Sequence, residues 1–264
     1  MFSLKIKSYL KIMWTLLKTE VLIFNKGLIN NYINTIMWVG TTILVFAYVF
    51  PQLGMQEGFG PFYAIGLIPS CSFWQVWTYS VTFVADMDGN RTITYPLTLP
   101  IPNWLVFATK GLSYTYHSTV VSIIVLPLSK ILLWNSLDLS NFCIFKFLII
   151  FLLTNLSMGF FALFIASLVK SMGDIDKIAI RYLFPMWFFG CSQFSYKTLQ
   201  ELSPLLAKIA YLNPLTYVME GTRIAILGQS GYIPFSLCVV MTIIFTIIFG
   251  FIGIAKFKKR LDFV

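Results

Sequence analysis

Three polar stretches carry the side chains whose types and spacing could do chemistry. Asp86 to Pro102 reads Asp-Met-Asp-Gly-Asn-Arg-Thr-Ile-Thr-Tyr-Pro-Leu-Thr-Leu-Pro-Ile-Pro. Asp88, Gly89, Asn90, Arg91 and Thr92 gather acids, hydrogen-bond donors and a turn residue, which suits recognition of a soluble partner rather than catalysis. Asp86 and Asp88 suit the start of a short helix, whose free N–H groups favour acids, and Pro96, Pro100 and Pro102 stiffen the return. Lys170-Ser-Met-Gly-Asp-Ile-Asp-Lys177 is a second short turn of mixed charge, holding Asp174 and Asp176. Leu212-Asn-Pro-Leu-Thr-Tyr-Val-Met-Glu-Gly-Thr-Arg223 places Glu220 and Arg223 three apart, so they pair on one helix face. His117 is the single histidine. It reads as a hydrogen-bonded residue packed near Tyr114, Tyr116 and Ser118, with a proton carrier as the alternative.

Several chemistries are missing from the sequence. There is no Gly-x-x-x-x-Gly-Lys-Ser/Thr phosphate loop, no His-Glu-x-x-His and no Gly-x-Ser-x-Gly. The four cysteines lie in separate apolar segments without Cys-x-x-Cys spacing and read as small buried hydrophobes, so no metal site is expected. An intramembrane enzyme or a proton-coupled carrier would want acids at membrane depth, and the clearest spans have none.

The elements that position these stretches are membrane helices. Of the 264 residues, 58% are hydrophobic and 11% charged, against roughly a quarter charged in soluble domains. Charge-free windows at 27–56, 58–85, 147–169 and 224–255 each exceed the ~20 residues that cross a bilayer as a helix. Two weaker windows run over 104–133, interrupted by Lys110, His117 and Lys130, and over 178–196, interrupted by Arg181. The expected fold is therefore an all-α integral membrane protein with six spans, at about 32–50, 62–84, 104–133, 147–169, 178–190 and 234–254. Lys110, near the start of the third, snorkels back towards the Asp86 loop.

Residues 1–31 are too rich in lysine to span. Lys7, Lys11 and Lys18 share one helical face while Tyr9, Met13, Leu16, Leu17 and Phe24 cover the other, which predicts an amphipathic helix in the membrane interface. No short apolar core with a small-residue cleavage site opens the chain. Segment 192–231 holds apolar pieces too short to cross, broken by Pro204 and Pro214. It reads as a re-entrant helical hairpin that must pack against protein. The net charge of +9 sits beside the apolar runs, as in a protein oriented by basic residues rather than one that binds nucleic acid. With both ends cytoplasmic, that side carries twelve basic residues: Lys5, Lys7, Lys11, Lys18, Lys26, Arg91, Lys170, Lys177, Lys256, Lys258, Lys259 and Arg260. The other side carries five: Lys130, Lys146, Lys197, Lys208 and Arg223. The loop over 85–103 and the turn over 170–177 then face the cytoplasm, and the hairpin faces outward.

With these features the whole chain resembles the permease subunit of ABC-2 type ABC transporters. The likeness rests on the amphipathic first helix, the six spans, the Met87-Asp-Gly-Asn-Arg-Thr-Ile93 loop with its Leu97-Thr-Leu-Pro-Ile-Pro102 continuation, and the Asn213-Pro214-x-x-Tyr217-x-x-Glu220-x-x-Arg223 pattern. The resemblance implies a bacterial inner-membrane protein working with a separate ABC ATPase subunit, which binds ATP and magnesium, and with a second permease copy or paralogue. This chain would bind no cofactor of its own. The loop at Asp88 to Thr92 would couple to the ATPase, Asp174 and Asp176 would form a second contact, and Asn213, Pro214, Tyr217, Glu220 and Arg223 would belong to an external re-entrant cap. The exported substrate would be drug-like, lipid-linked or a glycan. The stretch Phe24-Asn-Lys-Gly-Leu-Ile-Asn-Asn-Tyr-Ile-Asn-Thr35 departs from the basic, Arg-Tyr-rich segment of polysaccharide exporters. An ATP-independent carrier or an intramembrane enzyme are the other classes, separated by whether the purified protein works alone. Reporter fusions check the orientation. A periplasm-dependent reporter is expected to stay silent at Gly89 and at Val264, and activity at either position overturns the topology.

Overall fold

The computed structural model describes residues 2–54, 58–89, 91–169 and 171–261, with side chains from Lys7 to Phe257. Glu57, Asn90, Lys170 and Val264 lie outside the described residues, as do the side chains of Lys5, Lys258, Lys259 and Arg260. Helices and their turns make up the described residues, and no strand occurs among them.

Helix α1 (Phe2–Lys26) splits as its lysine stripe predicts. Lys7, Lys11 and Lys18 are exposed. Tyr9, Met13 and Leu16 pack on the main core. The helix ends five residues earlier than its pattern suggests, because Gly27 interrupts it and α2 (Leu28–Gln52) begins at once. Further along come α3 (Phe59–Asp88), the single-turn α4 (Thr94–Thr98), α5 (Asn103–Leu132) and α6 (Ile144–Leu168). Then follow α7 (175–188), α8 (Tyr196–Leu202), α9 (Pro204–Tyr211), α10 (Pro214–Leu227) and α11 (Phe235–Leu261).

Four of these, α2, α5, α6 and α11 (over Phe235–Phe257), are long and apolar enough to cross a membrane. The two other expected spans differ for separate reasons. Helix α3 has 30 residues, but Ser70, Ser72, Thr78, Ser80 and Thr82 dilute its apolar character. Helix α7 carries Asp176, Lys177 and Arg181 and rises only about 21 Å, short of a ~30 Å hydrocarbon core. Both α2 and α7 contain a wide π-turn, Val45–Val49 and Ala179–Leu183, directly before a proline, Pro51 or Pro185. A proline ring clashes with the carbonyl four residues back, and widening the preceding turn relieves that clash.

Helix α6 is the axis. It is apolar on every side, and α3, α5 and α11 pack around it. Two devices bring them close. At Gly159 a Cβ would lie 2.6 Å from the Gly111 carbonyl and 2.7 Å from the Thr115 nitrogen, so only glycine lets α5 approach. One turn earlier, Asn155 is fully buried; its Oδ1 accepts from Ser72 Oγ of α3 at 2.9 Å and Ser122 Oγ of α5 at 3.3 Å. Its Nδ2 donates to the Phe151 carbonyl at 2.8 Å, so both ends of the amide are used.

Helix α1 docks on α5. Lys110 Nζ donates to Glu20 Oε1 at 2.7 Å, so this lysine is anchored by an acid on α1 rather than by snorkelling to the headgroups. Tyr116 Oη donates to Asn25 Oδ1 at 3.2 Å. His117 stacks on Phe24, with ring centroids 3.9 Å apart, and its Nε2 has no hydrogen-bond partner among the described residues. Stacking on Phe24 and a hydrogen bond to the Glu20 backbone hold the ring.

Gly159→Leu should force α5 and α6 apart. A loss of about 1–3 kcal/mol is expected from overpacking, read as a lower aggregation temperature in detergent. Gly159→Leu melting with the wild-type protein would mean that the two helices do not meet there.

Candidate functional sites at opposite ends of the bundle

The Asn213 to Arg223 motif is a set of fasteners. Asn213 caps α10: its Oδ1 accepts from Leu215 N at 3.0 Å, and its Nδ2 donates to the Met186 carbonyl of α7 at 2.6 Å. Pro214 occupies the first helical position, where a missing N–H costs nothing. Thr216 Oγ1 donates to the Ala210 carbonyl and Tyr217 Oη to the Tyr211 carbonyl, both at 2.6 Å, so the end of α9 is tied to the start of α10.

One turn on, two charges are fully buried. Glu220 accepts from Tyr196 N (3.1 Å) through Oε1 and from Ile233 N (3.3 Å) through Oε2. Arg223 Nη1 donates to the Cys191 carbonyl at 2.6 Å, and Nη2 to the Ser192 carbonyl at 2.8 Å. A longer bond joins Nη1 to the Phe194 carbonyl at 3.4 Å. The two charges approach to only 3.8 Å, so each is held mainly by backbone groups while the other offsets its charge. The guanidinium lies over the Phe62 ring at 3.7 Å. Gly66 makes room for it, since a Cβ there would fall 2.9 Å from Nη2. Cys191 takes a left-handed φ of 58°, a strained value for a side-chain-bearing residue, at the turn whose carbonyl meets Arg223. The segment read as a helical hairpin forms three helices, α8 to α10, and Pro204 and Pro214 begin the second and third.

The second site lies at the far end of α3, about 36 Å along the axis from Phe62. Here the structure corrects one expectation. Asp86 and Asp88 close the long helix α3 instead of opening a short one, and the short helix α4 begins only at Thr94. The C-terminal end of a helix disfavours acids, so both need other donors. Asp86 finds them in the turn: Oδ1 accepts from Thr92 N at 2.9 Å and from the Thr92 hydroxyl, and Oδ2 accepts from Ile93 N at 3.0 Å. Partial burial opposes ionisation of Asp86. The Thr92 hydroxyl and the Ile93 and Thr92 N–H groups outweigh it and hold the carboxyl below its usual range. Asp88 Oδ2 accepts from Met172 N at 3.0 Å, which joins the Asp86 turn to the 171–177 turn.

Around this joint Arg91, Thr92 and Asp176 are exposed, and Asp174 is half-buried with its carboxylate 2.7 Å from Lys177 Nζ. Arg91 adopts a left-handed φ of 51°, and its N–H donates to the Asp86 carbonyl at 2.7 Å. Asn90 lies outside the described residues. Three partners escaped the sequence reading. Asp86, Gly66 and the 191–194 carbonyls have no spacing signature, although an aspartate at the C-terminal end of a helix is itself a hint of an external partner.

Long apolar helices packed around a largely buried central helix, with polar turns gathered at each end, define a multi-pass membrane protein. The ABC-2 type transporter family matches residues 12–227, most of the chain, and the chain belongs to that family as a permease component of an ABC-type transporter. No curated protein matches it.

Arg223→Ala would leave the buried Glu220 carboxylate without its countercharge and the Cys191 and Ser192 carbonyls without their side-chain donor. A cost of about 3–5 kcal/mol is expected, with partial recovery in the Arg223→Ala/Glu220→Ala double variant. Thermal aggregation in detergent reads both, and wild-type behaviour of all variants would make the segment a solvated loop.

Proposed function

We propose that the chain is the membrane permease of an ATP-driven exporter of drug-like, lipid-linked or glycan substrates, working by alternating access. In this reading two permeases, identical or paralogous, pair with two ABC ATPase subunits that hold ATP and magnesium. The membrane is the bacterial inner membrane. Helices α2, α3, α5, α6, α7 and α11 are the six membrane segments, both termini are cytoplasmic, and α8 to α10 form an external re-entrant cap over the pathway. Helix α1 lies in the cytoplasmic interface with Lys7, Lys11 and Lys18 towards the headgroups.

The observation that carries this reading is the Asp88 to Met172 bond. Hydrolysis in a partner moves a bundle only through a stiff contact, because a floppy loop absorbs the displacement. The bond makes one surface of two turns, and Asp86 clamps the first of them. That surface is attached directly to α3 and leads through the 171–177 turn into α7, so a push there reaches both helices. Asp88, Gly89, Asn90, Arg91, Thr92, Asp174 and Asp176 would make the contact.

Two changes probe coupling without touching the bundle: Arg91→Glu, and a Gly-Ser pair inserted after Thr92. Both proteins should express and insert normally, while transport and substrate-stimulated ATP hydrolysis by the co-purified ATPase fall at least tenfold. Undiminished coupling in both, in reconstituted vesicles, removes this surface from the mechanism. Transport by the permease alone, without ATP, would favour a stand-alone carrier.

A further inference from the structure

A cavity of about 620 Å³ opens between α1 and the chain that follows the Asp86 turn. Ile12 and Leu16 of α1 form one wall, and Pro96 and Leu99 form the other. Its charges are unequal. Lys110 is matched by Glu20 at 2.7 Å, whereas Lys11 has no acid partner among the described residues. The cavity therefore presents apolar walls with one unmatched cation at the rim. Lys7 and Lys18 repeat that charge along the same exposed stripe of α1. Trp14 and Leu22 are exposed on either side of the stripe, where a helix in the membrane interface meets acyl chains below its charged heads.

We propose that this cavity binds one anionic diacyl phospholipid, an acyl chain lying between α1 and the 94–99 segment and the headgroup phosphate against Lys11. Apolar walls select a chain over a free anion, and the unmatched lysine selects a net-negative headgroup over a zwitterionic one. Because Tyr95 lines the same cavity, the lipid touches α1 on one side and the chain leaving the Asp86 turn on the other. It thereby braces that turn against the interface helix. The proposal rests on α1 lying in the membrane interface and not on the ATPase partner, so its test reads lipid contact and no transport.

The full chain in detergent is given phosphatidylglycerol or phosphatidylcholine with identical chains, each carrying a terminal diazirine, then irradiated and mapped by peptide mass. Phosphatidylglycerol should label the peptides of α1 and of residues 92–99 several-fold more than phosphatidylcholine. Lys11→Gln should reduce that labelling about fivefold, the factor for one basic residue at an anionic surface. Leu16→Trp should lower it by obstructing the α1 wall of the cavity, with labelling of α11 unchanged as a check on folding. Excess inorganic phosphate should not compete. Equal labelling by the two lipids, indifference to Lys11→Gln, or displacement by phosphate would each overturn the proposal.

Discussion

Buried backbone N–H and C=O groups need partners, and that constraint governs the most irregular part of this protein. Between α7 and α11 the chain breaks helix four times, at 189–195, Ser203, 212–213 and 228–234. Each break frees N–H and C=O groups that would cost several kcal/mol apiece if buried unpaired. Two charged side chains one turn apart answer much of that demand. Glu220 takes N–H groups from the first and last breaks, and Arg223 takes carbonyls from the first. Asn213 and Ser203 cap the helices that start from the other two. The ion pair is thus less a bond between Glu220 and Arg223 than a pair of backbone chelators whose opposite signs make joint burial tolerable.

The Asp86 turn, with Arg91 and Thr92 exposed, solves the same problem with the opposite polarity. There a carboxylate collects three donors from the returning chain, whereas Arg223 donates to acceptors. Each site also contains one left-handed non-glycine residue, Arg91 or Cys191, and the described residues contain no others. Strained backbone persists where the surroundings over-determine it, and here a charged side chain does so in each case. Both devices are fixed to α3, which meets Arg223 through Phe62 and Gly66 near its start and ends in Asp86 and Asp88.

Much of this architecture was legible in the sequence. The lysine spacing of 7, 11 and 18 fixed the exposed face of α1, and the charge-free runs located α2, α6 and α11. The Asn213 to Arg223 motif was recognisable, and its members do sit together. What sequence spacing could not carry was contact between distant segments. Glu20 meets Lys110 across ninety residues, and Asp88 meets Met172 across eighty-four. The apolar run over 178–190 locates α7, but composition does not give its length, which a polar turn and Gly190 set. Acids suit the free N–H groups at a helix start, so Asp86 and Asp88 read as opening one; the Thr92 and Ile93 N–H groups that let Asp86 close α3 instead have no spacing signature.

The π-turns of α2 and α7 each hold one residue more than the regular spiral accommodates. Beyond such a surplus residue every side chain is rotated by about 100° from the direction an unbroken helix would give it. Phe50, past the turn in α2, meets Phe46, within it, edge to face, and Tyr48 reaches the Leu132 carbonyl at 2.5 Å across to α5. The two halves of α2 therefore address different neighbours although the chain is continuous. Loss of a single residue from Val45–Val49 would straighten the rod and swing its far half to another bearing, so in this stretch chain length, more than residue identity, carries the orientation.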